Sequence, residues 1–147
     1  MDIPTLFKLE IGETVRISNE PLTLAGRSTI TFEGGDELVW LFDEDERILS
    51  IAPEEEELFL FEKIDEEIEP DEEGIFFQGK EYEFHYKDTG VITDVEGDVI
   101  TEPDDNYTYM DYQAKNGEVL RIVSNENTGE IGVYIGNTAS EDDLSGV

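Results

Sequence analysis

The reactive inventory of this chain is short. His85 is the only histidine and cysteine is absent, so nucleophilic catalysis reduces to one design, His85 as the base for a serine such as Ser50 or Ser124. Its position argues against that use. In Glu81–Lys87 (EYEFHYK), His85 falls on the polar face with Glu81, Glu83 and Lys87, opposite Tyr82, Phe84 and Tyr86. An exposed structural histidine is therefore expected. Paired carboxylates can hydrolyse glycosides, but with 39 Asp+Glu some pair always falls at a suitable distance. No catalytic set is predicted, and the chain is expected not to be an enzyme.

Two oxygen-rich loops, Asp43-Glu44-Asp45-Glu46 and Asp104-Asp105-Asn106, carry the hard ligands that a divalent cation prefers. Neither has the spaced ligands, central glycine and terminal glutamate of an EF-hand. Loosely held counterions are the expectation, with no metal site and no cofactor. Gly34-Gly35 is a turn signal, and no phosphate-cradling loop is present. The aromatics Trp40, Tyr107, Tyr109, Tyr112 and Tyr134 read either as core or as a partner-binding face, since tyrosine and tryptophan join apolar area to a hydrogen-bonding tip. Tyr107 and Tyr109, beside the polar loop at 103–106, and Trp40 are the candidate partner-binding residues.

Charge narrows the partner. The 147 residues carry 9 Lys+Arg against 39 acids, a formal net charge of −30. Neutralising nucleic-acid phosphates needs basic patches, so direct nucleic-acid binding is not expected. Anionic membrane surfaces are disfavoured for the same reason. The opening MDIPTLFKLEIGETV lacks the apolar run of a secretory signal, and no stretch is long enough to span a membrane as a helix. A cytoplasmic protein is expected.

The elements that must position these residues read as strands throughout. Residues 107–135 form a three-strand meander turning at Lys115-Asn116-Gly117 and Asn127-Thr128-Gly129, because Asn-Gly supplies the positive φ of a tight hairpin and Thr-Gly offers one such residue. Upstream, residues 9–17 alternate around Gly12. Leu22–Ala25 and Ser28–Phe32 are separated by Gly26, and Leu38–Phe42 is a run apolar enough to be covered on both faces. Ile48–Ile51 and Leu58–Phe61 follow. Asp65–Gly74 (DEEIEPDEEG) reads as a linker. Beyond it, Glu81–Lys87 is an amphipathic strand, and Asp88-Thr89-Gly90 turns into Val91–Val95.

The predicted fold is a single all-β domain over 1–147. Its halves, 5–64 and 75–138, match in pattern and suggest two similar small antiparallel meanders packed as a sandwich or pseudo-symmetric barrel, with 139–147 a flexible tail. The predicted core is Trp40, Phe42, Ile48, Leu58, Leu60, Tyr82, Phe84, Ile92, Leu120, Ile122 and Val133.

The series Tyr82, Thr89-Gly90-Val91, Val95-Glu96-Gly97, Tyr109-Met110-Asp111-Tyr112, Leu120-Arg121-Ile122 and Tyr134-Ile135-Gly136 resembles the bacterial and archaeal family known as domain of unknown function 4178. Gly12–Arg16 and Val39-Trp40-Leu41 are similar to that domain's opening. The resemblance implies an accessory protein with no established activity, in the setting of membrane-stress or polyamine-linked systems. Two functional classes follow. One is a non-enzymatic accessory or scaffold domain that binds a protein partner with a basic surface, steered by the negative field. The other is an acidic nucleic-acid mimic that blocks a DNA-binding protein. A divalent-cation or polyamine-binding protein is a further alternative.

Overall fold

A computed structural model describes residues 2–44, 47–54, 57–66, 68–97 and 103–146. After a one-turn helix, α1 (Ile3–Leu6), come β1 (Thr14–Ile17), β2 (Glu20–Phe32), β3 (Glu37–Asp43), β4 (Arg47–Ala52), β5 (Glu57–Ile64), β6 (Ile75–Phe77), β7 (Lys80–Gly97), β8 (Asn106–Ala114), β9 (Val119–Asn125), β10 (Ile131–Ala139) and β11 (Leu144–Gly146). The all-β expectation holds. Among the described residues no helix is long and apolar enough to cross a membrane.

Eight strands close on themselves in the order β2-β3-β4-β5-β10-β9-β8-β7, with β7 pairing back onto β2. The sheet is therefore an antiparallel barrel, and closure removes the edges that an open sheet would expose. Closure depends on two long strands that each serve two neighbours. Residues 26–32 of β2 pair with 90–97 of β7, while residues 20–23 of β2 carry β1, and residues 80–82 of β7 carry β6. β1 to β5 and β6 to β10 each run as a meander, and the β2–β7 and β5–β10 pairings join them.

Period-two alternation explains three packed layers. Inward residues of both meanders, including Ile30, Trp40, Phe42, Phe61, Tyr109 and Tyr134, fill the barrel. Outward residues of β3 to β5, among them Val39, Leu41, Leu49 and Leu58, are covered by Ile3 and Leu6 of α1, Val15 and Ile17 of β1 and Leu144 of β11. On the other side Met110, Tyr112, Leu120, Ile122 and Val133 pack with Ile75 and Tyr82. Leu38–Phe42 is thus buried on both faces, as its unbroken apolar run predicts. Nine of the eleven predicted core residues are buried, and Leu60 and Phe84 are half-buried.

Several local expectations need correction. Gly26 does not end a strand: β2 runs through it with an irregularity at Leu24/Gly26, where the strand changes neighbour. Asp88-Thr89-Gly90 is not a turn either. A Cβ on Gly90 would lie 2.6 Å from Ile30 Cγ2 and 2.9 Å from the Thr31 carbonyl oxygen, so glycine there permits β7 to close onto β2. Within the expected linker at 65–74, Ile68 packs on the outer core and the Asp71 N–H donates to the Tyr112 hydroxyl at 3.0 Å, while residue 67 lies outside the described set. The expected flexible tail at 139–147 instead completes β10, makes a 3-10 turn at Glu141–Asp143 and adds β11 to β1, burying Leu144.

Candidate functional site

Among the described residues, one end of the barrel is open. It lies where the β2–β3, β4–β5 and β8–β9 connections meet the middle of β7, and it holds a cavity of about 460 Å³. Phe32, Leu38, Phe59, Tyr86 and Val119 supply apolar wall, Asp36, Glu37, Glu54 and Glu57 stand exposed around the rim, and Tyr109, Asp111 and Arg121 lie buried below. At the opposite end, Asn125 seals the barrel: its side-chain nitrogen donates to Asp105 at 2.9 Å and to the Tyr107 hydroxyl at 3.1 Å, and its carbonyl accepts from the Asn127 and Thr128 N–H groups.

The floor of the cavity is an ion pair. Asp111 and Arg121 sit directly opposite each other in the β8–β9 ladder. Arg121 Nε donates to Asp111 Oδ1 at 2.7 Å and Nη2 to Oδ2 at 3.0 Å, the two-pronged geometry that matches guanidinium to carboxylate. Nη1 donates to Ser50 Oγ at 2.8 Å. The guanidinium carbon lies 4.7 Å from the Phe61 ring centre and 5.7 Å from that of Phe59, adding cation–π attraction. Burial pulls the arginine pKa down, but the Asp111 charge and hydrogen bonds outweigh it, and the net direction is up. The group is a fixed cation neutralised in place.

Sequence reading did not find this pair, although a signal exists. Asp111 and Arg121 are each single charges within apolar strands, and the Asn-Gly turn between them sets a register that makes them partners.

Among the described residues no hydrogen bond joins His85 to Ser50 or Ser124, the one nucleophilic design weighed above. A nucleophilic serine donates its proton to a base, whereas Ser50 Oγ accepts from a guanidinium. Ser124 lies at the sealed end, paired with Thr108 and Ile131. His85 is exposed on β7, at a bulge between Phe84 and Tyr86 that leaves it without a ladder partner, and it borders the cavity. That bulge also corrects the expected Tyr82/Phe84/Tyr86 face. Tyr82 is buried outside the barrel, while Tyr86 turns to the cavity mouth.

Trp40, Tyr107 and Tyr109, the candidate partner-binding residues, are 2%, 6% and 1% exposed. They are barrel interior, because alternation along β3 and β8 turns them inward, and only Tyr109 of the three reaches the cavity wall. Tyr112 and Tyr134 are buried as well. Of the oxygen-rich loops, Asp43 holds Arg47 at 2.6 Å and Asp105 holds Asn125, while residues 45 and 46 lie outside the described set. Among the described residues no three His, Asp or Glu side chains converge on a point that a metal ion could occupy.

Three tyrosines have raised pKa values, Tyr112 chiefly by burial. Burial, only partly offset by the nearby Arg121 charge, pushes Tyr109 well above the usual phenol range. Tyr82 is pushed up to about 12 by burial and by the 2.5 Å hydrogen bond it donates to Glu118. Because the unfolded phenol ionises first, near pH 10, this contribution to stability is intact below pH 10 and is lost as pH rises toward 12. Ultraviolet titration of the native protein is expected to show the Tyr82 step near 12. In Glu118→Gln the step should move only part-way back, since burial, the larger cause, remains. An unshifted Tyr82 step at 10 would contradict the Tyr82–Glu118 contact.

The architecture is a closed antiparallel barrel whose interior is filled by side chains, with a lined cavity at one end. The chain belongs to the family described as Domain of unknown function (DUF4178), whose model matches residues 10–141. That match covers both meanders. No curated protein and no solved structure matches the chain.

Proposed function

We propose that the chain is a non-enzymatic accessory domain that binds a protein partner with a basic surface. The observation that carries this reading is where the few cations go. Arg27, Arg47, Lys80 and Lys87 pair with Glu96, Asp43, Glu118 and Glu72, and Arg121 is buried against Asp111. Five of the nine basic side chains are thus engaged by the chain's own acids, and the solvent face is left with an excess of carboxylate. Such a field accelerates encounter with a positive surface and rejects negative ones.

A cytoplasmic setting and a lack of turnover are part of this proposal. The palindromic strand order also supports a duplication of the β1–β5 meander as β6–β10, but binding does not depend on it.

The test is affinity capture of native partners on the immobilised chain, with elution by stepped sodium chloride. A retained protein of basic surface, with affinity falling steeply as salt rises, is the expected result. Retention of a neutral or acidic protein that ignores salt, or turnover of a substrate that disappears in His85→Ala, would refute the proposal. Displacement of DNA from the captured partner would move the reading to a nucleic-acid mimic.

A further inference from the structure

One strand of the barrel is paired on one side only for part of its length. Along residues 83–89, β7 has β8 as its neighbour, but β6 reaches no further than Tyr82 and β2 begins only at Gly90, where Phe32 lies opposite. Beyond Phe32 the chain turns away into β3. Among the described residues no strand fills the gap between β6 and β2.

The backbone beside this gap is turned into it. The Thr89 N–H is taken by the carboxylate of its own neighbour, Asp88 Oδ1, at 2.8 Å. The register with β8 is regular from Tyr86 to Val91, so alternation along the antiparallel ladder aims the N–H and C=O of Lys87 the same way as those of Thr89. Glu83, His85, Tyr86, Lys87 and Thr89 are exposed. An accessible edge with unpaired backbone groups is a template for an added strand.

Charge selects what can be added. His85 and Tyr86 share a cavity with Phe32, Leu38, Asp36 and Glu37, so an entering segment meets both apolar wall and carboxylate. The cations at hand are already met, Lys87 by Glu72 at 3.4 Å and Arg121 by Asp111. A second copy of the chain, at a formal net charge of −30, would bring like charge to this place.

We propose that an extended segment of the basic partner, with lysine or arginine alternating with apolar residues, adds a strand to β7 at residues 83–89, between β6 and β2. Its backbone pairs with the N–H and C=O of Lys87 and the C=O of Thr89. Its apolar side chains meet Phe32 and Leu38, and its cations meet Asp36 and Glu37. The assignment rests on the reading of a basic partner given above and adds to it the edge used and the form that the partner takes there.

Titration of the full chain with the heptapeptide acetyl-KVKVKVK-amide, followed by amide exchange measured by NMR, tests it. Saturable binding is expected, with the Lys87 amide exchanging about tenfold or more slowly in the complex than in the free chain. Successive N–H groups of a strand point to opposite sides, so the two peptides N-methylated on alternate residues should differ, one binding as the parent does and the other about tenfold or more weakly. Acetyl-EVEVEVE-amide should not bind, and Asp36→Asn with Glu37→Gln should weaken the lysine peptide about tenfold. Equal affinity for the parent and both methylated peptides, or a Lys87 amide unchanged in the saturated complex, would overturn the strand assignment and leave a basic partner docked elsewhere. Absence of any binding by the lysine peptide would overturn it as well. In each of these outcomes the wider reading stands or falls on the capture experiment alone.

Discussion

Replacing Arg121 with methionine is expected to cost about 3–5 kcal/mol of stability, the range for breaking a buried ion pair from one side. The residue is 4% exposed and its partner Asp111 8%. Its removal strands a carboxylate that accepts two hydrogen bonds, together with the Ser50 hydroxyl. Much of the cost is that of leaving Asp111 charged in a dry interior, not the net worth of the pair. The double replacement Arg121→Met with Asp111→Leu is therefore expected to recover most of the loss. Urea unfolding of the three variants against wild type measures the coupling. A single-variant loss under about 1 kcal/mol, the range of exposed pairs, would mean that the pair is solvated and the barrel end open down to its floor.

Leu120→Ala is expected to cost about 2–5 kcal/mol, the transfer energy of the lost methyl groups plus the cavity left behind. Leu120 is fully buried, but outside the barrel, in the layer shared with Ile75, Tyr82 and Tyr112. The loss therefore reports whether β6 and the 65–74 segment form a real second layer. Denaturant unfolding with a cost well below 2 kcal/mol would show that layer to be loose.

The strands were legible because their alternation and turn glycines are local. The Asn116-Gly117 hairpin and the doubly buried Leu38–Phe42 run follow from neighbouring residues alone. What was not legible depends on distant pairing. Gly26 and Gly90 read as breaks because glycine usually turns the chain, but both lie in the β2–β7 seam, where Gly26 pairs with Gly97 and Gly90 with Phe32, partners far apart in sequence. Sequence cannot weigh a clash between Gly90 and Ile30 without that register. The same limit misplaced Trp40, Tyr107 and Tyr109, since closing the barrel turns a potential sheet surface into an interior. The single bulge at His85 reversed the outlook of Tyr86, and nothing in EYEFHYK marks an extra residue.

The central claim is that an anionic barrel is completed by a positively charged partner. With a formal net charge of −30, and each pair of carboxylates about 7 Å apart repelling by roughly 0.6 kcal/mol in water, the isolated chain carries self-repulsion that salt relieves. The most direct measurement is the melting temperature of the purified chain across sodium chloride, with and without a basic polypeptide at matched ionic strength. The melting temperature is predicted to rise as salt approaches physiological strength, where the Debye length is about 8 Å, and to rise further and saturably with the polypeptide. A melting temperature indifferent to both would contradict the claim.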